Sequence, residues 1–492
     1  MLLIVHYLQK MRSTSALAVL LSLQLVAGET ILGAYIYHRH GDRTAKVLPP
    51  VHLTDVGYLE VYQSGQALNE RYIDATGTTP IAGMTSPAVT QSQLTVSTTD
   101  DLVLMSSAQG FLQGLYPPLG NGTTSSQILR NGSTAQTPLN GFQIIPVHTV
   151  TAASSPTETA GWLQGATGCA NAETSSLEYY NTSGYKDLLS STAQFYQGLT
   201  PVLNNTFTPA ATSFLNAYTI FDVLNVANIH NLTLNTTILT NDTLFQVRTL
   251  ADIHEWNLAY NASSPIRAVA GATLAAQILT ALNTTVTGGG ASKLNIQFGS
   301  YGTFFSLFGL MQMPAASASF QGMPDYASYL SIELVTNSSA TPFPAADDIS
   351  VRFIYHNGTS AYGEEPVAYP MFGQDQVELP WANFTAEMSK IAIGTQEAWC
   401  TACGNSTGTC AASALGSAGS SSTPVSKPKI SNAVAGVIGA VVTLAVILGA
   451  EALIMLLAGL RLRRKNDAQT ASPTHMRAKD AEHSSVESGV HY

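Results

Sequence analysis

Within five residues, Arg39-His40-Gly41-Asp42-Arg43 sets one imidazole between two guanidinium groups. Phosphoryl transfer needs a nucleophile in line with the leaving oxygen, and positive donors around the equatorial oxygens where charge spreads at the transition state. A neutral imidazole can attack phosphorus, planar guanidinium forks match phosphate oxygens better than ammonium groups do, and a glycine lets the backbone approach closely. The motif therefore describes a phosphate clamp with His40 at its centre and Arg39 and Arg43 as donors. On a plainer account, His38, Arg39 and His40 end a strand as ordinary polar residues. That account must explain why positive charge is concentrated there, since only 21 of 492 residues are Lys or Arg and the formal net charge is −10. The same balance argues against nucleic acid as a partner, because a phosphate backbone demands clustered basic side chains.

The elements around the clamp must hold it at an exposed edge. Ile31 to His38 reads as a strand rich in β-branched and aromatic residues, with the clamp at its carboxyl end. Apolar residues recur at helical spacing from Thr54, a plausible cap, to Tyr72; Ser92 to Thr98 reads as a second strand and Asp101 to Leu115 as a second helix. Strand, helix, strand, helix implies an α/β fold on a parallel sheet, whose ligands sit beyond the carboxyl ends of the strands. Residues from about 117 to 290 read as an inserted, mostly helical cap, after which strands return at Leu294–Phe298, Leu330–Val335 and Val351–Tyr355. His254-Glu255 falls in that helical stretch and reads as a solvated face rather than as catalytic.

Arg39-His40-Gly41-Asp42-Arg43-Thr44 resembles the signature of histidine acid phosphatases, branch 2 of the histidine phosphatase superfamily, its fungal members in particular. The similarity runs through most of residues 30 to 400. Leu53-Thr54-Asp55-x-Gly57 resembles the family's turn into its first helix, and Ser106-Ser107-Ala108-Gln109 with Gly114-Leu115-Tyr116-Pro117 its second helix. Pro324-Asp325-Tyr326-Ala327-Ser328 leading to Ile332-Glu333-Leu334 resembles its late strand. The resemblance implies a phosphohistidine intermediate on His40, with the phosphoryl group held by Arg39 and Arg43. It further implies phosphomonoester substrates hydrolysed at acidic pH; the acidic exterior favours small monoesters over highly charged ones, and no cofactor or metal is expected.

Some family features are replaced. Val103 stands where a third phosphate-binding arginine belongs in Thr98-Thr99-Asp100-Asp101-Leu102-Val103, and Ala45 where a proline often closes the first motif. A His-Asp pair should follow the strand at Leu294–Phe298, but the chain reads Gly299-Ser300-Tyr301-Gly302. The lost acid contributes about 10²–10⁴-fold in comparable reactions, most for alkyl leaving groups. Tyr301 and Asp42 are the candidate substitutes, with Asp100 and the His254-Glu255 pair as others, although a phenol titrating near ~10 is a weak one. The alternative is a catalytically degenerate surface glycoprotein that binds a phosphorylated ligand.

The chain's address follows from its ends. Residues 1–28 read as a signal peptide, 29–404 as the ectodomain, 405–430 as a Ser/Gly/Ala-rich stalk, 431–460 as a transmembrane helix and 461–492 as a cytoplasmic tail. Arg461, Arg463, Arg464 and Lys465 set a type I orientation, with the ectodomain at the cell surface or in a lumen. Sequons at Asn121, Asn181, Asn235, Asn283, Asn357 and Asn383 suit that exterior address. Cys169, Cys400, Cys403 and Cys410 suit two disulfides in an oxidising compartment, with all three pairings open.

Overall fold

Nine of the ten residues of strand β1 (Thr30–Arg39) are buried, so the strand has no solvent face and must lie between two layers. The computed structural model describes residues 29–150, 166–203, 205–231, 236–360 and 365–411. The signal peptide, the membrane helix, the tail, most of the stalk and Asn235 lie outside the described residues. After β1 the strands are β2 (Leu94–Thr99), a small hairpin of β3 (Ser126–Ile128) and β4 (Thr134–Gln136), β5 (His148–Val150), β6 (Leu294–Gly299), β7 (Tyr329–Thr336), β8 (Ser350–His356), β9 (Val367–Tyr369) and β10 (Glu378–Pro380). The main sheet has the order β10-β8-β7-β1-β6-β2-β5, with β9 beside β8.

This sheet corrects the expectation of a parallel one. β1, β6, β2 and β5 run parallel, whereas β7, β8, β9 and β10 join antiparallel. The sequence hid the difference because all eight residues of β7 are buried, and a strand covered on both faces shows the same unbroken apolar run in either direction. The α/β class stands, with a mixed sheet.

Helices cover both faces. α1 (Asp55–Tyr72) and α2 (Leu102–Leu115) pack on one, around Val61, Leu104, Phe111 and Ile296. The cap contributes α3 (Ala170–Leu177), α4 (Ser183–Ser191), α5 (Ala193–Gly198), α6 (Ala217–His230) and α7 (Asn241–Ala259), then α8 (Val269–Thr287), α9 (Tyr301–Leu310), α10 (Trp381–Ile391) and α11 (Gln396–Cys403) follow. α8, α9 and α10 fill the other face through Leu274, Ile278, Phe304, Phe308 and Phe384, and each such buried side chain favours the fold by roughly 1.5–3 kcal/mol. α8 therefore belongs to the sheet's own layer, and the helical cap ends before it rather than at residue 290. Among the described residues, the one helix long and apolar enough to cross a membrane is this buried segment, Pro265–Thr287.

The cap has a core of its own, including Tyr185, Tyr196, Phe214, Ile220 and Val247, which continues into Ala45 and Tyr301 at the edge of the sheet. Two disulfides, Cys169–Cys403 and Cys400–Cys410, join the start of α3 to α11 and close the C-terminal turn. Folded structure thus reaches Cys410, beyond residue 405 where the stalk was expected to begin. Asn121, Asn181, Asn283, Asn357 and Asn383 are all exposed.

A buried charge network locks α1 to the antiparallel half of the sheet. Glu333 on β7 is 0% exposed and accepts from Arg71 (2.8 and 3.0 Å), from Arg352 (2.8 and 2.9 Å) and from the Tyr72 hydroxyl (2.7 Å). Removing one partner of such a network strands the others without compensation, at about 3–5 kcal/mol. Glu333→Gln is accordingly expected to lower stability by that order, read as a fall in the denaturant midpoint with unchanged steepness; a shift worth under about 1 kcal/mol would show the network to be dispensable.

Candidate active site

The clamp is positioned by two backbones that touch. β1 ends at Arg39, and the chain turns through Gly41 so closely against Gly57 of α1 that a Cβ on either glycine would collide with the other segment's backbone. The Asp42 carbonyl accepts from the Thr54 amide (3.1 Å), and Thr54 caps α1 by accepting from the Gly57 amide (3.1 Å). Ser107 of α2 accepts from the Gly41 amide (3.3 Å), and Glu60 of α1 accepts from the Asp42 amide (2.7 Å). Both helices whose sequences resemble the family therefore grip the loop directly.

His40 is 0% exposed. Its Nδ1 lies 2.7 Å from the Gly41 carbonyl oxygen, which can only accept, so Nδ1 carries the proton and Nε2 the lone pair. Burial first, then the charges of Arg39 and Arg43, hold its pKa well below the ordinary imidazole value, and the ring stays neutral in mild acid. His38, two residues earlier, is a structural histidine. It packs against Phe111, Phe298 and Tyr329, bonds the Ser64 hydroxyl (2.7 Å), and has its pKa lowered to about 3 chiefly by burial.

The two guanidinium groups stay near the imidazole but are already engaged. Arg43 makes a fork-to-carboxylate pair with Asp222 of α6 (2.9 and 3.2 Å) and donates to the Tyr218 hydroxyl (2.9 Å). Arg39 donates to the Pro324 carbonyl and lies over the rings of Tyr326 (4.7 Å) and Tyr301 (5.4 Å). Tyr326 also stands 5.6 Å from the His40 ring. The loop expected at an open mouth is thus covered, and the cover consists of Tyr326, Tyr301 and two residues of the cap, Tyr218 and Asp222.

Asp42, a candidate acid, is turned away into a second tie to the cap. Its carboxylate meets Thr54 and His230 at the end of α6 (2.6 Å). Tyr301, the other candidate, follows β6 with only Ser300 between, which sets it beside Arg39 because Arg39 pairs with Gly299. Its hydroxyl donates to Glu255 (2.8 Å), and burial, then Glu255 and Tyr218, push its pKa well above the usual phenol value. Glu255 is not a solvated helix residue: it is mostly buried, and its other oxygen lies 2.8 Å from Nδ1 of His254, which is buried among Tyr179, Tyr180, Tyr185 and Phe214. Val103 is buried in the first turn of α2 and brings no charge.

Beside the clamp opens a cavity of about 270 Å³, reached by Lys46, Glu255, Ser300, Tyr301 and Thr303. The sequence reading passed over Lys46, although it is a third basic side chain within eight residues of a chain poor in them. Tyr218, Asp222 and His230 carried no local signal, being spaced at four and eight residues along an apolar helix.

With this geometry in view, the description "Histidine phosphatase superfamily (branch 2)" matches residues 47–356. The chain belongs to that superfamily. The matched stretch begins just after Arg43, so the sequence similarity and the loop geometry are separate observations. Among solved structures, Hafnia alvei phytase is similar in its apo form (14% identity, TM-score 0.51, covering 77% of this chain and 98% of that one). The same enzyme in complex with myo-inositol hexakis sulphate is similar at 15% identity and TM-score 0.52, covering 77% of this chain and 99% of that one. At such identities the likeness is one of fold. No curated protein matches the chain.

The Gly41–Gly57 approach gives this histidine phosphatase a sharp test. Gly57→Ala is expected to unseat the loop, weakening vanadate binding by more than tenfold and lowering the thermal midpoint. Gly184→Ala, where an added Cβ meets nothing within 4 Å, should change neither. Vanadate binding unaltered by Gly57→Ala would show that the loop is not held by this contact.

Proposed function

We propose that the chain is a phosphomonoesterase that passes a phosphoryl group to Nε2 of His40 and then to water. The observation that carries this reading is a buried imidazole kept neutral, with its tautomer fixed by the Gly41 carbonyl, between two guanidinium groups. Nitrogen lone pairs attack phosphorus only when unprotonated, and the lowered pKa keeps His40 in that form as pH falls below the ordinary imidazole range near ~6.5. The sign favours acid hydrolysis: a lowered pKa keeps the nucleophile unprotonated further into acid than a solvated histidine would be.

Arg43 supports the phosphate role through the anion it holds. Asp222 meets its fork in the two-pronged manner that a phosphate would. Binding is then an exchange of anions, in which the incoming dianion displaces a carboxylate and α6 gives way. Substrates of small size and few charges suit the cavity, because Glu173 and Glu255 on its wall offset Lys46 and Arg267. A polyphosphorylated inositol would meet those carboxylates directly.

A second reading, a phosphate binder without turnover, is favoured by one observation: no arginine replaces Val103, so the clamp has one fork fewer than the family pattern. The two readings part on turnover. The purified full-length chain is expected to hydrolyse an aryl phosphate at pH 5, to form an acid-labile, base-stable phosphoenzyme, and to lose both by at least 10³-fold in His40→Ala. Activity that survives His40→Ala would remove the His40 reading, and tight phosphate binding with no turnover would establish the second.

A further inference from the structure

The family's leaving-group acid is missing from its usual place, yet the cavity begins at that place. Ser300 and Tyr301 line it where the His-Asp pair is absent, and Lys46 reaches the same cavity from the clamp loop. Lys46 Nζ sits over the rings of Tyr218 (5.4 Å) and Tyr301 (5.7 Å), which stand 4.9 Å apart. Several acids near His40 already bond other groups: Asp42 meets Thr54 and His230, Glu60 the Asp42 amide and Asp222 Arg43, and Tyr301 donates to Glu255, while Tyr326 stands 5.6 Å from the His40 ring without reaching the cavity lining. The lining also includes the apolar Leu258, Ala259 and Ala270.

We propose that Lys46 gives the proton to the leaving oxygen, and that the cavity between Lys46, Glu255 and Tyr301 receives the alcohol or phenol that departs. The assignment rests on His40 as nucleophile. In the first step the Nε2 lone pair of His40 forms a bond to phosphorus while the ester P–O bond breaks. Its electron pair stays on the leaving oxygen, which takes a proton from the Lys46 ammonium. In the second step water attacks the phosphohistidine, the P–N pair returns to Nε2, and the water's proton restores the ammonium. No outside reactant is needed.

The charges facing Lys46 suit the role. Burial and the nearby Arg43 and Arg39 on its own loop lower its pKa, Asp222 of α6 and Glu255 of α7 oppose them, and the balance falls at about 7. Tyr218 and Tyr301 face it with their rings. The proton-donating form is therefore complete in acid and is lost as pH rises through about 7. At pH 5 the donating ammonium is fully present, and its lowered pKa makes it a readier proton donor than an ordinary lysine.

The test compares an alkyl with an aryl phosphate on the purified full-length chain. Lys46→Met is expected to lower kcat on the alkyl ester by about 10²–10³-fold and on the aryl ester by less than about tenfold, since a phenolate leaves with little help. The fall in alkyl turnover above pH 7 should vanish with it. Lys46→Arg, which keeps the charge but releases no proton in this range, should hold KM near wild type and leave alkyl kcat low. Equal losses on both esters, a persisting limb near pH 7, or restored alkyl kcat in Lys46→Arg would each overturn the assignment. If the wild type turns over neither ester, or His40→Ala stays active, the His40 reading itself fails and takes this inference with it; a wild type that needs His40 but ignores Lys46 separates the two.

Discussion

Positive charge removed from water must be met by something, and around His40 three cations are removed from it at once. Arg39 is 4% exposed and Arg43 1%, and Lys46 is half-buried beside them. Unpaired, such groups are costly enough that the guanidinium groups would swing outward and the ammonium would swing outward or deprotonate. Each is answered differently. Arg43 has a carboxylate, Arg39 has a carbonyl and two aromatic faces, and Lys46 has two aromatic faces with Asp222 and Glu255 in range. Burial first, and then the sum of these charges, keeps the imidazole neutral, which is the state that a nucleophile needs.

Three of the six answering groups, Asp222, Tyr218 and Glu255, come from the cap, so the cap is part of the electrostatics of the site rather than a lid above it. α6 alone supplies Tyr218 and Asp222 to Arg43 and His230 to Asp42, at neighbouring positions of one loop. A dianion brought to the clamp would satisfy the same cations better than Asp222 does. Cap position and anion occupancy are then linked: whatever fills the clamp sets how firmly α6 is held.

The clamp was legible in the sequence because its parts are adjacent and its charge stands out against a chain with few basic residues. Of the two helices gripping it, α1 was legible through Thr54 and the glycine at 57, whose reason, the approach of Gly41, only the fold reveals, and α2 through its apolar spacing after Asp101. The direction of β7 was not legible, since burial on both faces erases the alternation that would have separated it from a parallel strand. Nor was the cover over His40. Asp222 and His230 lie 179 and 188 residues from their partners Arg43 and Asp42, and nothing local marks an aspartate on an apolar helix as the counter-ion of a distant loop. His254-Glu255 shows the opposite error: read as a solvated face, it is buried because Tyr301 needs an acceptor there.

The losses at Val103 and Tyr301 bear on one another through the same charge balance. A third arginine and a second histidine would add positive charge to a site that already lowers the pKa of His40 and of Lys46. With both gone, one fully ionised fork is missing, and a lysine that titrates near neutrality stands beside the vacated position. A site with the full family set can hold a dianion by fixed charge alone and needs a carboxylic acid to give up a proton. A site with two fixed forks and one adjustable ammonium can use that ammonium for both tasks in acid, first as counter-charge and then as donor. The substitution of aromatic and aliphatic residues for charged ones thus leaves the clamp with two fixed forks, Arg39 and Arg43, and the ammonium of Lys46 beside them.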